Sequence, residues 1–213
     1  MNAKLTSILE LARRYNYDAD HSHQVECLAG TLFMETEPLH NLGRDDRKLL
    51  EYAAILHDIG YYVSARGHHR HALQMIMMEP LMDFSREEKT VIANLARYHR
   101  KTLPTIEHTA YGILSEEDKR RVDMMAPLLR IADALDRSHQ GLVKELFCEL
   151  REDALIIYVG SDGDMPIETA ALDRKADMFR QVHRRDAQLR VLRPRLPEAH
   201  APAEYVFEGA ASR

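Results

Sequence analysis

Apolar residues recur at helical spacing through the first two-thirds of the chain, and stripe after stripe leads to a histidine or an aspartate. Leu5, Ile8, Leu9 and Ala12 mark a helix over 4–14. Val25, Leu28, Ala29 and Leu32 mark a second, with Asp18 or Asp20 as its N-cap; one turn back from Val25 the same face reaches His21, while His23 points elsewhere. After a turn over Pro38–Gly43, Asp45 and Asp46 open a helix with the stripe Leu49, Ala53, Leu56, which Ile55 and Ile59 extend past His57-Asp58 to Gly60, a natural stop. A loop to Gly67 leads into His68-His69-Arg70-His71 and a helix to about Glu79, in which Met75 to Met78 read as core packing. Ser85 to Glu88 is a capping box; the stripe Ile92, Leu95, Ala96 then leads to His99. Ser115 to Asp118 opens another helical stretch, and Pro127 either starts a fresh helix or kinks this one. Asp133, one turn on from Leu129, sets a carboxylate in the middle of an apolar face.

The pattern then changes. Residues 145–150 and 155–159 are short β-branched and aromatic runs around an Arg151-Glu152-Asp153 connection, which predicts a hairpin. Residues 172–183 read as a helix, 188–192 as a third strand, and the Pro- and Ala-rich stretch from 194 as a disordered tail. The predicted fold is mainly α: a helical bundle over 1–143, a small α+β appendage over 144–193 and the tail over 194–213.

Composition narrows the function classes. A net charge of −5 over 213 residues argues against generic nucleic-acid binding, whose signature is a basic excess. Cys27 and Cys148 lie far apart with no paired spacing, which suits a reducing compartment and does not suit a cysteine-based zinc site. No apolar run reaches spanning length and the first residues carry no signal-peptide core, so the expectation is a soluble cytoplasmic protein that does not engage membranes. The unusual number is twelve histidines, most of them before residue 140.

Those histidines sharpen the reading of the stripes. His21, His57, Asp58 and Asp133 each fall at a buried helix end or face, where an ionised carboxylate is costly without a compensating cation and a neutral imidazole is a ready ligand. A divalent metal answers both needs, and this nitrogen and oxygen set suits manganese, iron, nickel, zinc or magnesium. The plainer alternative has His57 capping its helix C-terminus and Asp58 facing solvent.

The order His21, His57-Asp58, Asp133 on successive helices resembles the H…HD…D signature of the HD-domain metal-dependent phosphohydrolase superfamily. More narrowly, Leu56 to Tyr62, Gly67 to His71, Ala96 to Lys101 and Ile131 to Ser138 are similar to the C-terminal helical domain of the Ppx/GppA exopolyphosphatase family, here standing alone, over about Tyr15 to Leu192. The resemblance implies an HD-domain helical bundle with one or two divalent ions. His57 and Asp58 would be catalytic, and the metal ligands would be His21, His57, Asp58 and Asp133, with His71 and His99 for a second ion and Asp18 able to join. His68, Arg97, Arg100, Lys101 and Arg137 would hold the substrate phosphate. It implies a phosphohydrolase that cleaves a phosphomonoester, phosphodiester or nucleotide through a metal-activated water, with a phosphorylated small molecule or nucleotide, and at most a second copy of the chain, as partners. The alternative is a non-catalytic regulatory or ligand-binding module related to the accessory domain of those phosphatases.

Two departures bound this. The chain contains no glycine-rich phosphate cradle, so exopolyphosphatase activity is not carried over. Gly60 is followed by Tyr61, and no Gly-Tyr-Pro occurs, which separates it from the cyclic-dinucleotide branch. Among individual residues, His71 and His99 also read as structural histidines, Arg97-Arg100-Lys101 as a solvated charge run and Asp136-Arg137 as an intrahelical ion pair.

Overall fold

The computed structural model describes residues 3–192; the expected tail over 194–213 lies outside them. The elements are α1 (Ala3–Arg14), α2 (Ala19–Glu35), α3 (Glu37–His40), α4 (Arg44–Leu56), a 3₁₀ turn (Ile59–Tyr62), α5 (His68–Met78), α6 (Arg86–Tyr98), α7 (Thr109–Gly112), α8 (Glu116–Leu135), β1 (Glu145–Leu150), β2 (Ala154–Gly160), α9 (Pro166–Lys175), α10 (Asp177–His183) and β3 (Asp186–Leu192). The fold is mainly α with a small α+β appendage.

Local chemistry sets the helix starts. Asp18 caps α2 by accepting from the His21 backbone N–H at 3.2 Å. Ser85 and Glu88 close the capping box of α6, each side chain accepting from the other's backbone N–H at 3.1 and 3.0 Å. Ser115 caps α8 at 3.1 Å, ahead of Glu116, Glu117 and Asp118, whose charges complement the helix N-terminus.

Packing moves some boundaries. α4 ends at Leu56 rather than at Gly60, and the chain turns into the 3₁₀ turn just after His57-Asp58. Gly60 is a point of close approach: a Cβ there would lie 2.0 Å from the His68 carbonyl oxygen and 2.7 Å from the Ala72 nitrogen, so only glycine lets this turn press against the start of α5. Pro127 sits inside an unbroken α8. Residues 172–183 divide between α9 and α10, with Ala176 as the break. In the methionine run only Ile76 is fully buried and Met78 is 85% exposed, because four consecutive helical residues point all the way round the axis.

One hydrophobic cluster links the bundle, through Val25, Leu50, Ile55, Ile92, Leu129 and Leu135, to Leu155, Ile157 and Phe179 of the appendage. The sheet order is β1-β2-β3: β1 pairs antiparallel with β2 from Glu145↔Gly160 to Leu150↔Leu155, and β2 pairs parallel with β3 from Ala154↔Asp186 to Gly160↔Leu192. A parallel pair needs a crossover, and α9 with α10 is that crossover, packed on α8. Arg130 of α8, 1% exposed, ties the layers together: it donates to the carbonyls of Tyr98, Lys101 and Thr102 at 2.8 to 3.0 Å and pairs with Asp177 at 2.9 Å. No helix among the described residues is long and apolar enough to cross a membrane.

His183 makes stability pH-dependent. It is 7% exposed, its Nε2 has no hydrogen-bond partner, and burial, followed by the neighbouring His40 and Arg185, pushes its pKa down to about 4. The unfolded chain takes up that proton near pH 6.5, so between about 6.5 and 4 it binds more protons than the folded chain, and lowering the pH favours unfolding. Stability of the metal-free protein is expected to fall through this window by up to about 1.4 kcal/mol per pH unit from His183. Denaturation midpoints from pH 7 to pH 4 check this; a His183→Phe variant, which cannot titrate, should decline less steeply.

Candidate metal centre

Five elements converge on one site. α2 contributes His21 from its first turn, the end of α4 contributes His57 and Asp58, and α5 contributes His68 from its first residue, which follows Gly67 in the left-handed region at φ 83°. The end of α6 contributes His99, and α8 contributes Asp133. His21, His57, His68, His99 and Asp133 are all buried, and the Asp58 side chain is 15% exposed.

The ring orientations are settled by what each Nδ1 touches. His57 Nδ1–H donates to the Ala54 carbonyl at 2.6 Å, His99 to Ala96 at 2.6 Å and His68 to Ala65 at 3.1 Å. His21 Nδ1–H donates to Asp136 Oδ2 at 2.8 Å. With every Nδ1 placed as a donor, a ring in its neutral form presents its Nε2 lone pair to the interior. Burial lowers the pKa of His68 and drives that of His99 well below the ordinary range, with His57 adding to the latter, so these two rings are neutral near pH 7.

Acceptors therefore face acceptors. His57 Nε2 is 3.5 Å and His21 Nε2 4.0 Å from Asp58 Oδ2, and His21 Nε2 is 3.8 Å from Asp133 Oδ1. On the other side Asp58 Oδ1 lies 3.2 Å from His68 Nε2 and 3.5 Å from His99 Nε2, and those two nitrogens are 3.3 Å apart. His21 Nε2, His57 Nε2 and Asp58 Oδ1 have no hydrogen-bond partner. Ligand atoms that share an ion at about 2.1 Å sit about 3.0 to 3.5 Å from one another; Asp58, His68 and His99 meet that spacing, the His21 distances of 3.8 and 4.0 Å are a few tenths of an ångström longer, and the missing donors on both sides suit cations. The donor atoms fall into two triads, His21 with His57 and Asp133, and Asp58 with His68 and His99; the two oxygens of Asp58 span both.

Two protein cations border the set. The Lys175 ammonium, from the end of α9, is hydrogen-bonded to Asp133 Oδ2. Burial alone would raise the Asp133 pKa, but the Lys175 ammonium overcomes it by charge and hydrogen bond and holds the carboxyl far below its usual range. Arg100 donates to His68 Nε2 at 3.2 Å. The site opens into a cavity of about 170 Å³ lined by Asp58, Tyr61, His68, His99, Arg100, Asp133, Arg137, Ala171, Arg174 and Lys175. Tyr61 stacks on His68 with ring centroids 4.0 Å apart, forming part of its wall.

The residues expected from sequence divide accordingly. His21, His57, Asp58, Asp133 and His99 come together, with His68 beside His99 and also lining the cavity. His71 lies outside both triads, one turn farther along α5 and half-buried. Arg100 and Arg137 line the cavity; Arg97 and Lys101 do not. Arg97, two residues before His99, points to the other side of α6, with its guanidinium 5.6 Å from the Tyr98 ring, and Lys101 is exposed beyond the helix end. Asp18 pairs with His139 at 2.9 Å instead of joining the triads. Asp136 pairs with His21 rather than with Arg137 and also accepts from the Gly141 N–H at 2.8 Å. Sequence reasoning missed Asp136 as a positioning group, His139 stacked 3.7 Å from His21, and Arg174 and Lys175. The three-residue step from Asp133 to Asp136 was a readable helical signal for the first; nothing local marked the others.

The chain matches the family model described as Ppx/GppA phosphatase, domain III, over residues 4–168. It is also similar to a guanosine-5'-triphosphate,3'-diphosphate pyrophosphatase from Aeromonas hydrophila, 29% identical over 153 residues that cover 71% of this chain and 30% of that protein. The chain thus matches less than a third of the length of that relative. The match across most of its length, together with the helical core on which the site is built, places this chain in the Ppx/GppA phosphatase domain III family.

Proposed function

We propose that the chain is a divalent-metal-dependent phosphohydrolase of the HD type, acting on a phosphomonoester, phosphodiester or nucleotide. One observation carries this reading: four imidazoles, each with its Nδ1 committed to an acceptor, aim their Nε2 atoms at two carboxylates in a site short of proton donors. A structural cluster has no use for that arrangement, because buried acceptors facing one another repel. One ion would be held by His21, His57 and Asp133 and a second by His68 and His99, with Asp58 between them; His68 replaces His71 in the ligand set. A bound divalent ion offsets charge on a phosphoryl oxygen and lowers the pKa of water.

The chain's own residues supply the rest. Arg100, Arg137 and Arg174 border the cavity, where guanidinium groups suit bidentate contact with phosphate oxygens. Tyr61 screens one wall from solvent. Asp136 holds the His21 ring by its Nδ1–H, and such partners typically matter about 10- to 100-fold for metal affinity or activity. Membership of a phosphatase domain family supports hydrolysis of phosphate bonds, and the name of the relative puts nucleotide phosphoanhydrides on the substrate panel.

The test is elemental analysis of the purified protein, together with hydrolysis of bis(p-nitrophenyl) phosphate and a nucleotide panel, before and after chelation. Bound metal, with hydrolysis lost on chelation and restored by Mn²⁺, is expected. Protein that takes up no metal and hydrolyses nothing would instead favour the non-catalytic ligand-binding module.

A further inference from the structure

Lys175 places a protein cation on a carboxylate of the proposed metal centre. It is the last residue of α9, in the crossover between β2 and β3, so it reaches the bundle from the appendage. Its ammonium is hydrogen-bonded to Asp133 Oδ2, while Asp133 Oδ1 faces His21 Nε2 at 3.8 Å. The two oxygens of one buried carboxylate are thus divided between the histidine triad and a lysine. That lysine also lines the cavity in which the substrate phosphate would lie.

We infer that Lys175 is an exchangeable counter-cation: it balances Asp133 when no metal is bound and passes to the substrate phosphate once a metal shares that carboxylate. The inference rests on the metal-centre reading above. A buried carboxylate is costly without a cation, and one positive charge suffices to balance it. A divalent ion on Asp133 leaves surplus positive charge beside Lys175, and the best remaining partner for the ammonium is an anionic oxygen in the adjoining cavity. Lysine suits the exchange because it carries a point charge on a flexible four-carbon stem, without the fixed fork of arginine. Its neighbours favour the same occupant: Arg137 and Arg174 also border the cavity, and among the described residues neither forms an ion pair.

Lys175 should therefore act in opposite directions on the two ligands, weakening metal binding alone and strengthening anion binding to the loaded centre. In Lys175→Met, calorimetric titration with Mn²⁺ in anion-poor buffer is expected to show about tenfold tighter binding, and titration of the Mn²⁺-loaded protein with inorganic phosphate about tenfold weaker binding, the scale of one charge-assisted hydrogen bond. Without metal the variant should melt below the wild type, and Mn²⁺ should remove the difference. Lys175→Arg, which keeps the charge, should lie between wild type and Lys175→Met in both titrations; Lys175→Gln should repeat the paired shifts should the methionine variant fail to fold. Weakening of both ligands together would mean structural support of the pocket, and no change in either would mean a bystander; each overturns the inference while leaving the metal centre standing. Wild-type protein that binds no Mn²⁺ overturns the centre itself and the exchange with it.

Discussion

Asp58→Ala is expected to abolish metal binding and leave the fold intact. The two Asp58 oxygens reach both triads, Oδ2 towards His21 and His57 and Oδ1 towards His68 and His99, so one substitution removes the group they share. Loss of positioning partners alone costs about 10- to 100-fold in metal affinity, and loss of this shared ligand should exceed about 100-fold. Stability of the metal-free chain should not suffer, because Oδ1 has no partner and the residue lies outside the hydrophobic cluster; removing an unsatisfied buried acceptor is neutral or favourable. The contrast appears on adding Mn²⁺. Wild type gains about 2.7 kcal/mol of apparent stability at a hundred times the dissociation constant, and the variant gains nothing. Thermal melts with and without Mn²⁺ read both quantities, and a variant stabilised by Mn²⁺ as strongly as wild type would rule out the ligand role of Asp58.

Arg130→Met is expected to cost the most stability. The guanidinium is 1% exposed and serves three backbone carbonyls and Asp177, so an apolar replacement leaves the carbonyls of Tyr98, Lys101 and Thr102 without that donor. Burial lowers the Arg130 pKa, and Asp177 opposes that effect. Breaking such a buried network costs about 3 to 5 kcal/mol, and at about 2 to 4 °C per kcal/mol for a chain of this size the melting temperature should drop by roughly 10 °C. Arg130→Lys should recover only part of this, since one ammonium cannot span the positions that the planar fork reaches. The three carbonyls belong to the last residue of α6 and the segment that follows it, on either side of His99 and Arg100, so loosening them should also reduce phosphate affinity. Chemical denaturation and phosphate titration measure the two effects; a loss below about 1 kcal/mol would show that water replaces the guanidinium without penalty.

Much of the architecture was legible in the residues themselves. Helical periodicity and the caps at Asp18, Ser85 and Ser115 are local, so α2, α6 and α8 could be read directly. The hairpin over residues 145–160 was equally readable from its β-branched runs. Boundaries failed where packing overruled the local signal: Gly60 read as a helix stop but serves the approach of the turn to α5, and Pro127 is accommodated within a continuous α8.

The candidate site divides on the same principle. The sequence by itself put His21, His57, Asp58 and Asp133 at the ends or centres of apolar stripes, because a polar side chain there has a local signature, and the expectation of a cation followed from the known cost of burying a charge. Only the tertiary structure decided which of His68, His69 and His71 turns to His99. That choice depends on the docking of the 3₁₀ turn against the start of α5 and on the Nδ1 contact to Ala65. Only the tertiary structure also brought Lys175 to Asp133, 42 residues away in sequence. The parallel pairing of β2 and β3 requires a crossover helix, and the packing of that helix on α8 sets where its last residue lies.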